Sequence, residues 1–155
     1  MKKQLSIAFL AAAFGAMFLT SCSKKEEPPA PKTKTQLISQ SSWKFKSVTV
    51  GGTDASSATQ ACQRDNILTF GAAGGGTADE GATKCAPADL QINLFTWTFA
   101  NSETTLNVSN SLITFGGTGN TSFTIVSLTE TELVLSFLYT PPVGAFQTVV
   151  LTFQH

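Results

Sequence analysis

Histidine is almost missing from this sequence. The one copy, His155, is the last residue, where a chain end is expected to fray. That excludes Ser-His-Asp and Cys-His catalysis, and with them most zinc hydrolase sites. Cysteine is also scarce, at Cys22, Cys62 and Cys85. No two of them form a Cys-x-x-Cys pair, and none has a histidine close by, which argues against redox and zinc chemistry. Excess positive charge is lacking too. Ten basic residues face ten acidic ones, and four of the basic residues (Lys24, Lys25, Lys32 and Lys34) crowd into one short stretch. A nucleic-acid footprint needs a basic face, so no nucleic-acid partner is expected. The glycine runs lack the Gly-Lys-Ser/Thr of a phosphate loop and read as hairpin tips. Asp79 and Glu80 are adjacent, so on a strand they point to opposite faces and cannot share a cleft. Asp65, between Arg64 and Asn66, reads as a residue that shapes a turn or caps backbone donors. No cofactor, metal or enzymatic activity is expected.

The N-terminus carries a targeting signal. Lys2 and Lys3 precede an uncharged, mostly apolar run of sixteen residues, Leu5 to Thr20. A spanning helix needs roughly 20 apolar residues, so the run is short for a membrane anchor and fits an export signal. It ends in Leu19-Thr20-Ser21-Cys22, which resembles the bacterial lipobox. The resemblance implies a lipoprotein signal peptide over residues 1–21, cleavage before Cys22, and acylation of the Cys22 thiol and the new N-terminus, palmitate being a typical chain. Loss of Lys2 and Lys3 leaves acidic residues two in excess. Residues 22–35 are rich in Lys, Glu and Pro with little to bury, and read as a flexible, lipidated tether. Within it, Lys25-Glu26-Glu27 resembles the surface-export signal of Bacteroidetes lipoproteins. That implies an outer-membrane location, lipid-anchored, with the cell surface favoured over the periplasmic face.

Residues 36–155 are enough for one domain with a real core. Helical signal is limited to Lys34 to Ser41. Beyond it the apolar residues alternate with period two. "LFTWTFA" sets Phe95, Trp97 and Phe99 on one face. "TELVLSFLY" does so with Leu133, Leu135, Phe137 and Tyr139, and "QTVVLTFQ" with Val149, Leu151 and Phe153. "TSFTIVSLT" aligns Phe123 with Ile125, and "NILTF" aligns Leu68 with Phe70. "WKFKSVTV" begins with Trp43 and Phe45 inward but ends with Val48 and Val50, a phase switch that predicts a bulge. Turn signals separate the runs, at Gly51-Gly52, Gly74-Gly75-Gly76, Asn101-Ser102, Gly116-Gly117 and Pro141-Pro142. Eight or nine short strands at this spacing predict an all-β, antiparallel up-and-down barrel, closed so that no edge is exposed.

With Cys22 acylated, Cys62 and Cys85 remain in an oxidising compartment, where a disulfide is the default. It would close a loop of about 23 residues, worth roughly 3 kcal/mol in the chain-entropy view. The enclosed "GAAGGGTADEGATK" is glycine-rich and poorly apolar, and needs such a staple.

Trp43 opening the first strand, then "CQRDNILTF", a glycine-bearing hairpin, "KC" and "FTWTF" follow in that order. Together they resemble the lipocalin-like domain of Bacteroidetes lipoproteins, over roughly Leu37 to Phe153. The family opens with Gly-x-Trp, where this chain has Ser41-Ser42-Trp43. The resemblance implies an eight-stranded barrel able to hold a small apolar ligand. Trp43, Phe45, Phe70, Phe95, Trp97, Phe99, Phe123, Phe137, Tyr139 and Phe153 would line such a pocket; equally, they would be the packed core of a filled barrel. Two functions follow from these alternatives. One is a lipid-anchored binding module. The other is an envelope accessory protein that docks a partner through its outer face, where Val134, Leu138 and Val150 would be apolar.

Overall fold

The computed structural model describes residues 30–112, 114–115, 118–141 and 144–155. The signal segment, Cys22 and nearly all of the tether, including Lys25-Glu26-Glu27, lie outside the described residues.

The domain opens with a short helix, α1 (Lys34–Ser39). Thr33 caps it through a reciprocal box: its hydroxyl accepts from the Gln36 amide, and the Gln36 side chain accepts from the Thr33 amide. Eight longer strands follow: β1 (Trp43–Val50), β2 (Ile67–Phe70), β3 (Gly75–Asp79), β4 (Ile92–Ala100), β5 (Thr105–Val108), β6 (Ser122–Leu128), β7 (Glu132–Tyr139) and β8 (Gln147–Gln154). A one-turn helix, α2 (Ala61–Arg64), lies between β1 and β2, after a 3-10 turn at Ser56–Ala58. Each strand pairs antiparallel with the next in sequence. β8 returns to pair with β1, from Lys44↔Gln154 to Val50↔Val149. The result is a closed up-and-down barrel of eight strands among the described residues, as the alternation predicts. Closure leaves no long edge for another chain to extend.

The β1 bulge is present: its register against β8 shifts between Phe45 and Ser47, at Lys46. The shift lets Trp43 and Phe45 before it, and Val48 after it, all point inward. A second register shift, between Val134 and Leu135 of β7, accommodates an extra residue in β6. It turns Leu128 toward the core, where strict alternation from Phe123 and Ile125 would point it outward, and Val126 stays exposed.

The inward faces fill the barrel. Trp43, Phe70, Phe123, Phe153, Leu68, Leu106, Leu133, Leu135, Leu151, Val48 and Val149 have essentially no exposed surface. Burying each large apolar side chain contributes about 1.5–3 kcal/mol. The rings interlock edge to face: Phe70 on Phe95 and Trp97 with centroids 5.3 and 5.7 Å apart, Trp97 on Phe99 at 5.2 Å, Phe123 on Phe137 at 5.7 Å and Phe45 on Phe153 at 6.4 Å. Both indoles find acceptors, as buried ring N–H groups must. Trp43 donates to the Ile38 carbonyl (2.8 Å), and Trp97 to the carbonyls of Gly71 and Gly75 (3.1 Å each).

The two ends of the barrel differ. At one end α1 packs against β2 and β6 and buries Ile38. Here His155 departs from the sequence expectation of a frayed terminus. Its ring lies on Trp43, with centroids 3.9 Å apart, and its Nδ1 is 2.8 Å from the Ser42 carbonyl. Covering the fully buried indole gives the last residue a reason to stay in place. The opposite end is the mouth. β2 begins there, β3 ends there, β4 begins there, and α2 sits beside β1.

Candidate ligand site at the barrel mouth

β1 and β2 share only two residue pairs, Trp43↔Leu68 and Lys44↔Ile67, at the plugged side. Toward the mouth the seam between them opens, and the 3-10 turn and α2 fill it. Ser56 fastens this insert: its hydroxyl accepts from the Val48 amide at 3.1 Å. The Cys62–Cys85 disulfide then ties α2 to the loop between β3 and β4. Asp65 closes the same loop with one carboxylate oxygen, which accepts from the amides of Ala82 (3.1 Å) and Thr83 (2.9 Å). This is the backbone-capping role expected of Asp65, and two charge-assisted bonds make it a strong tie.

This scaffold encloses a cavity of about 340 Å³, within the size range of small-molecule sites. Its apolar lining comes from Ala78, Phe95 and Leu112, with the exposed Leu90 and Leu94 at the rim, and its polar lining chiefly from Gln63, Asn66, Glu80 and Asn93. The strand phase explains why polar groups reach it. Asn66, Leu68 and Phe70 share the inward face of β2 and its approach, as do Asn93, Phe95, Trp97 and Phe99 on β4. Ala78 and Glu80 point the same way, while Asp79 points out. Asp79 instead accepts from the Gln91 side chain (2.7 Å) and the Gly81 amide (3.0 Å). These bonds, the Gln91 one first, hold its carboxyl below the usual carboxylate range. The opposite orientation of the two adjacent acidic residues is thus as the sequence indicates.

Three side-chain oxygens on the cavity's lining residues are buried without a hydrogen-bond partner: Gln63 Oε1, Asn66 Oδ1 and Glu80 Oε2. Asn66 as a whole is only 9% exposed. These oxygens have essentially no accessible surface, so they lie behind the cavity wall and do not face the cavity. Asn66 and Glu80 flank strands in the inward phase, a signal the sequence carries, whereas Gln63 lies on α2 and carries none.

The aromatic candidates lie deeper. Trp43, Phe70, Phe123 and Phe153 are sealed in the core, Trp97 nearly so, and Phe45, Phe99, Phe137 and Tyr139 are partly buried against it. Phe95 reaches the mouth cavity. Phe45 borders an outer cleft with Arg64, Asp65 and Asp79, and Phe137 and Tyr139 border another with Asn120 and Thr140. On the outer surface, Leu90, Ile92 and Leu94 form an exposed apolar run leading into and along β4. Leu138 is also exposed there, whereas Val134 and Val150 are half-buried. Among the described residues no three His, Cys, Asp or Glu side chains are grouped to hold a metal.

A closed eight-stranded up-and-down barrel, plugged at one end and carrying a lined cavity at the other, defines a class of fold that holds one small ligand or fills itself with side chains. The family model for the lipocalin-like domain matches residues 41–135, more than half of the chain, and the chain belongs to that family. No match was found among curated proteins.

Proposed function

We propose that this chain is a non-enzymatic binding lipoprotein, tethered to the outer membrane through Cys22, whose lipocalin-like barrel takes a small molecule at its mouth. The observation that carries the reading is the mouth cavity of about 340 Å³ above a core that is otherwise filled. The packed rings leave the deep interior to the protein itself, so the small apolar ligand suggested by the family resemblance becomes a ligand with one apolar side. The anchor rests on the sequence alone. A thioether-linked diacylglycerol plus an amide-linked chain supplies the more-than-one-chain anchoring that stable attachment takes, and Lys25-Glu26-Glu27 favours the cell surface.

Native mass spectrometry of protein purified from its own membranes tests the binding reading: a stoichiometric adduct lost on mild activation is expected, and its absence counts against it. If Cys22→Ser still takes up acyl label and partitions into detergent, the anchor is wrong. A second reading rests on Leu90, Ile92 and Leu94, which would dock an envelope protein partner. Cross-linking from Leu94 to one envelope protein, with no small-molecule adduct, would favour that reading.

A further inference from the structure

We infer that the barrel docks mouth-first onto the surface of a lipid bilayer, seating apolar side chains from two opposite sides of its rim at the boundary of headgroups and acyl chains. The inference takes the Cys22 anchor from the reading above and adds which end of the domain meets the membrane. Consecutive strands are antiparallel, so β7 ends and β8 begins at the mouth, as β3 ends and β4 begins there. Of the six large apolar side chains that the described residues expose, five sit at this end. Leu90, Ile92 and Leu94 form one tip, on the β3–β4 side. Leu138, one residue from the end of β7, and Phe146, just before β8, form the other. In a closed barrel of eight strands β4 and β8 stand four apart, on opposite sides. Leu94 and Phe146 are 73% and 72% exposed, so both tips are equally available. The first tip alone would suit a protein partner. Two tips flanking one open end are covered together by a flat, extended apolar phase.

Charge is distributed to match. The segments 109–121 and 140–146, which join β5 to β6 and β7 to β8 at the mouth, contain no charged residue. Charged residues of this end lie on the insert after β1 and on the β3–β4 loop, where the carboxylates of Asp54, Asp65 and Asp89 accept the protein's own amides, which suits headgroup depth. The plugged end is different: Lys32 pairs with Glu130 at 3.0 Å, and Lys34 donates to the Glu103 carbonyl. The chain outside the described residues has the reach that this pose needs. The tether meets the domain at Thr33, on the plugged end, and Cys22 lies eleven residues before it. Fully extended, that length spans about 36 Å. The nine residues of β4, tilted as barrel strands are, rise about 23 Å from one end of the wall to the other. Cys22 therefore reaches a membrane that the mouth also touches. The mouth cavity, with Leu90 and Leu94 at its rim, then opens onto the lipid surface.

The test reconstitutes the full lipidated protein in phosphatidylcholine vesicles. Leu94→Cys, Phe146→Cys and Thr131→Cys, one at a time and with the Cys62–Cys85 disulfide intact, carry an environment-sensitive fluorophore. All three positions are exposed, and Thr131 lies at the plugged end. Nitroxide-labelled acyl chains are expected to quench the label at 94 and at 146 at least three-fold more than the label at 131. Adding Leu90→Asp with Leu94→Asp is expected to cut quenching at 146 at least three-fold, because the two tips dock together, and Thr131→Asp to leave it unchanged. Equal quenching at the three positions, quenching at one tip only, or indifference of the 146 label to the aspartate pair overturns the inference. Cross-linking from Leu94 to one envelope protein in native membranes, without lipid quenching, overturns it in favour of the protein-docking reading. Acyl labelling of Cys22 is read separately. Acylated protein without quenching loses the docking and keeps the anchor. Unacylated protein still quenched at both tips loses the anchor and keeps the docking, and unacylated protein without quenching loses both.

Discussion

Gly76 offers a sharp test of how the barrel wall is packed. It sits in β3 opposite Phe95 of β4 and Phe70 of β2. A Cβ added there would lie 2.4 Å from two carbons of the Phe95 ring and 2.8 Å from the Thr69 carbonyl oxygen. Unbonded carbons rest at about 3.5–4.0 Å, so the ring would have to move by about 1 Å or more. It has little room to do so, because Phe70 holds it edge on at 5.3 Å and Trp97 in turn holds Phe70. The Thr69 oxygen is backbone and yields even less. Overpacking of this kind costs about 1–3 kcal/mol. Gly75 is the internal control: a Cβ there meets nothing within 4 Å. Gly76→Ala should therefore lower the urea midpoint by about 1 M, from a slope of about 1–3 kcal/mol per M. Gly75→Ala should stay within about 0.5 kcal/mol of the parent. The buried Trp43 and Trp97 provide the fluorescence signal. Combining Gly76→Ala with Phe95→Ala should cost less than the sum of the two, by roughly 1 kcal/mol, because the clash is gone in the double variant. If Gly76→Ala is no worse than Gly75→Ala, the Phe95 ring does not lie across this glycine.

Three other outcomes are expected. Replacing both Cys62 and Cys85 with serine releases a 23-residue separation and should cost about 3 kcal/mol of unfolding free energy. An unchanged melting temperature in the variant, or under reducing agent, would contradict the staple. His155→Ala removes the ring lying on Trp43 and the bond to Ser42, and should cost about 1 kcal/mol with a red shift of tryptophan emission; a silent variant would mean that the terminus is frayed after all. Asp79 and Asp54 both have depressed carboxyl values, through Gln91 then Gly81 for the first and the Ser56 side chain then its amide for the second. A carboxyl depressed in the folded state contributes stability that is present above its unfolded value and lost as pH falls through the folded value. Thermal stability should therefore decline below about pH 4, less steeply in Asp79→Asn; an identical acid limb in that variant would remove Asp79 from the account.

Much of the barrel was legible in the chain because strand geometry has a period of two that side-chain hydrophobicity records directly. The phase switch in "WKFKSVTV" located the β1 bulge, since Trp43, Phe45 and Val48 can share one face only if a residue is inserted between them. The second bulge, in β6, was hidden because Phe123, Ile125 and the exposed Val126 all keep the alternation, and only the final Leu128 departs from it. The mouth residues were half legible. Asp65 was recognised as a local cap, but Asn66, Gln63 and Glu80 looked like ordinary turn and loop polar groups. Their meaning depends on being brought together from three segments.

The sequence by itself therefore determined the all-β class, the inward aromatic stripe and the pairing of Cys62 with Cys85. These are encoded locally, by composition, spacing and alternation. Only the tertiary structure decided which end α1 plugs, that His155 covers Trp43, that Gly76 lies under a ring in a strand and not at a hairpin tip, and that Gln63, Asn66 and Glu80 meet at the barrel mouth. Each of these depends on residues distant in the chain meeting across the closed barrel, and no local pattern records which distant residues closure will bring into contact.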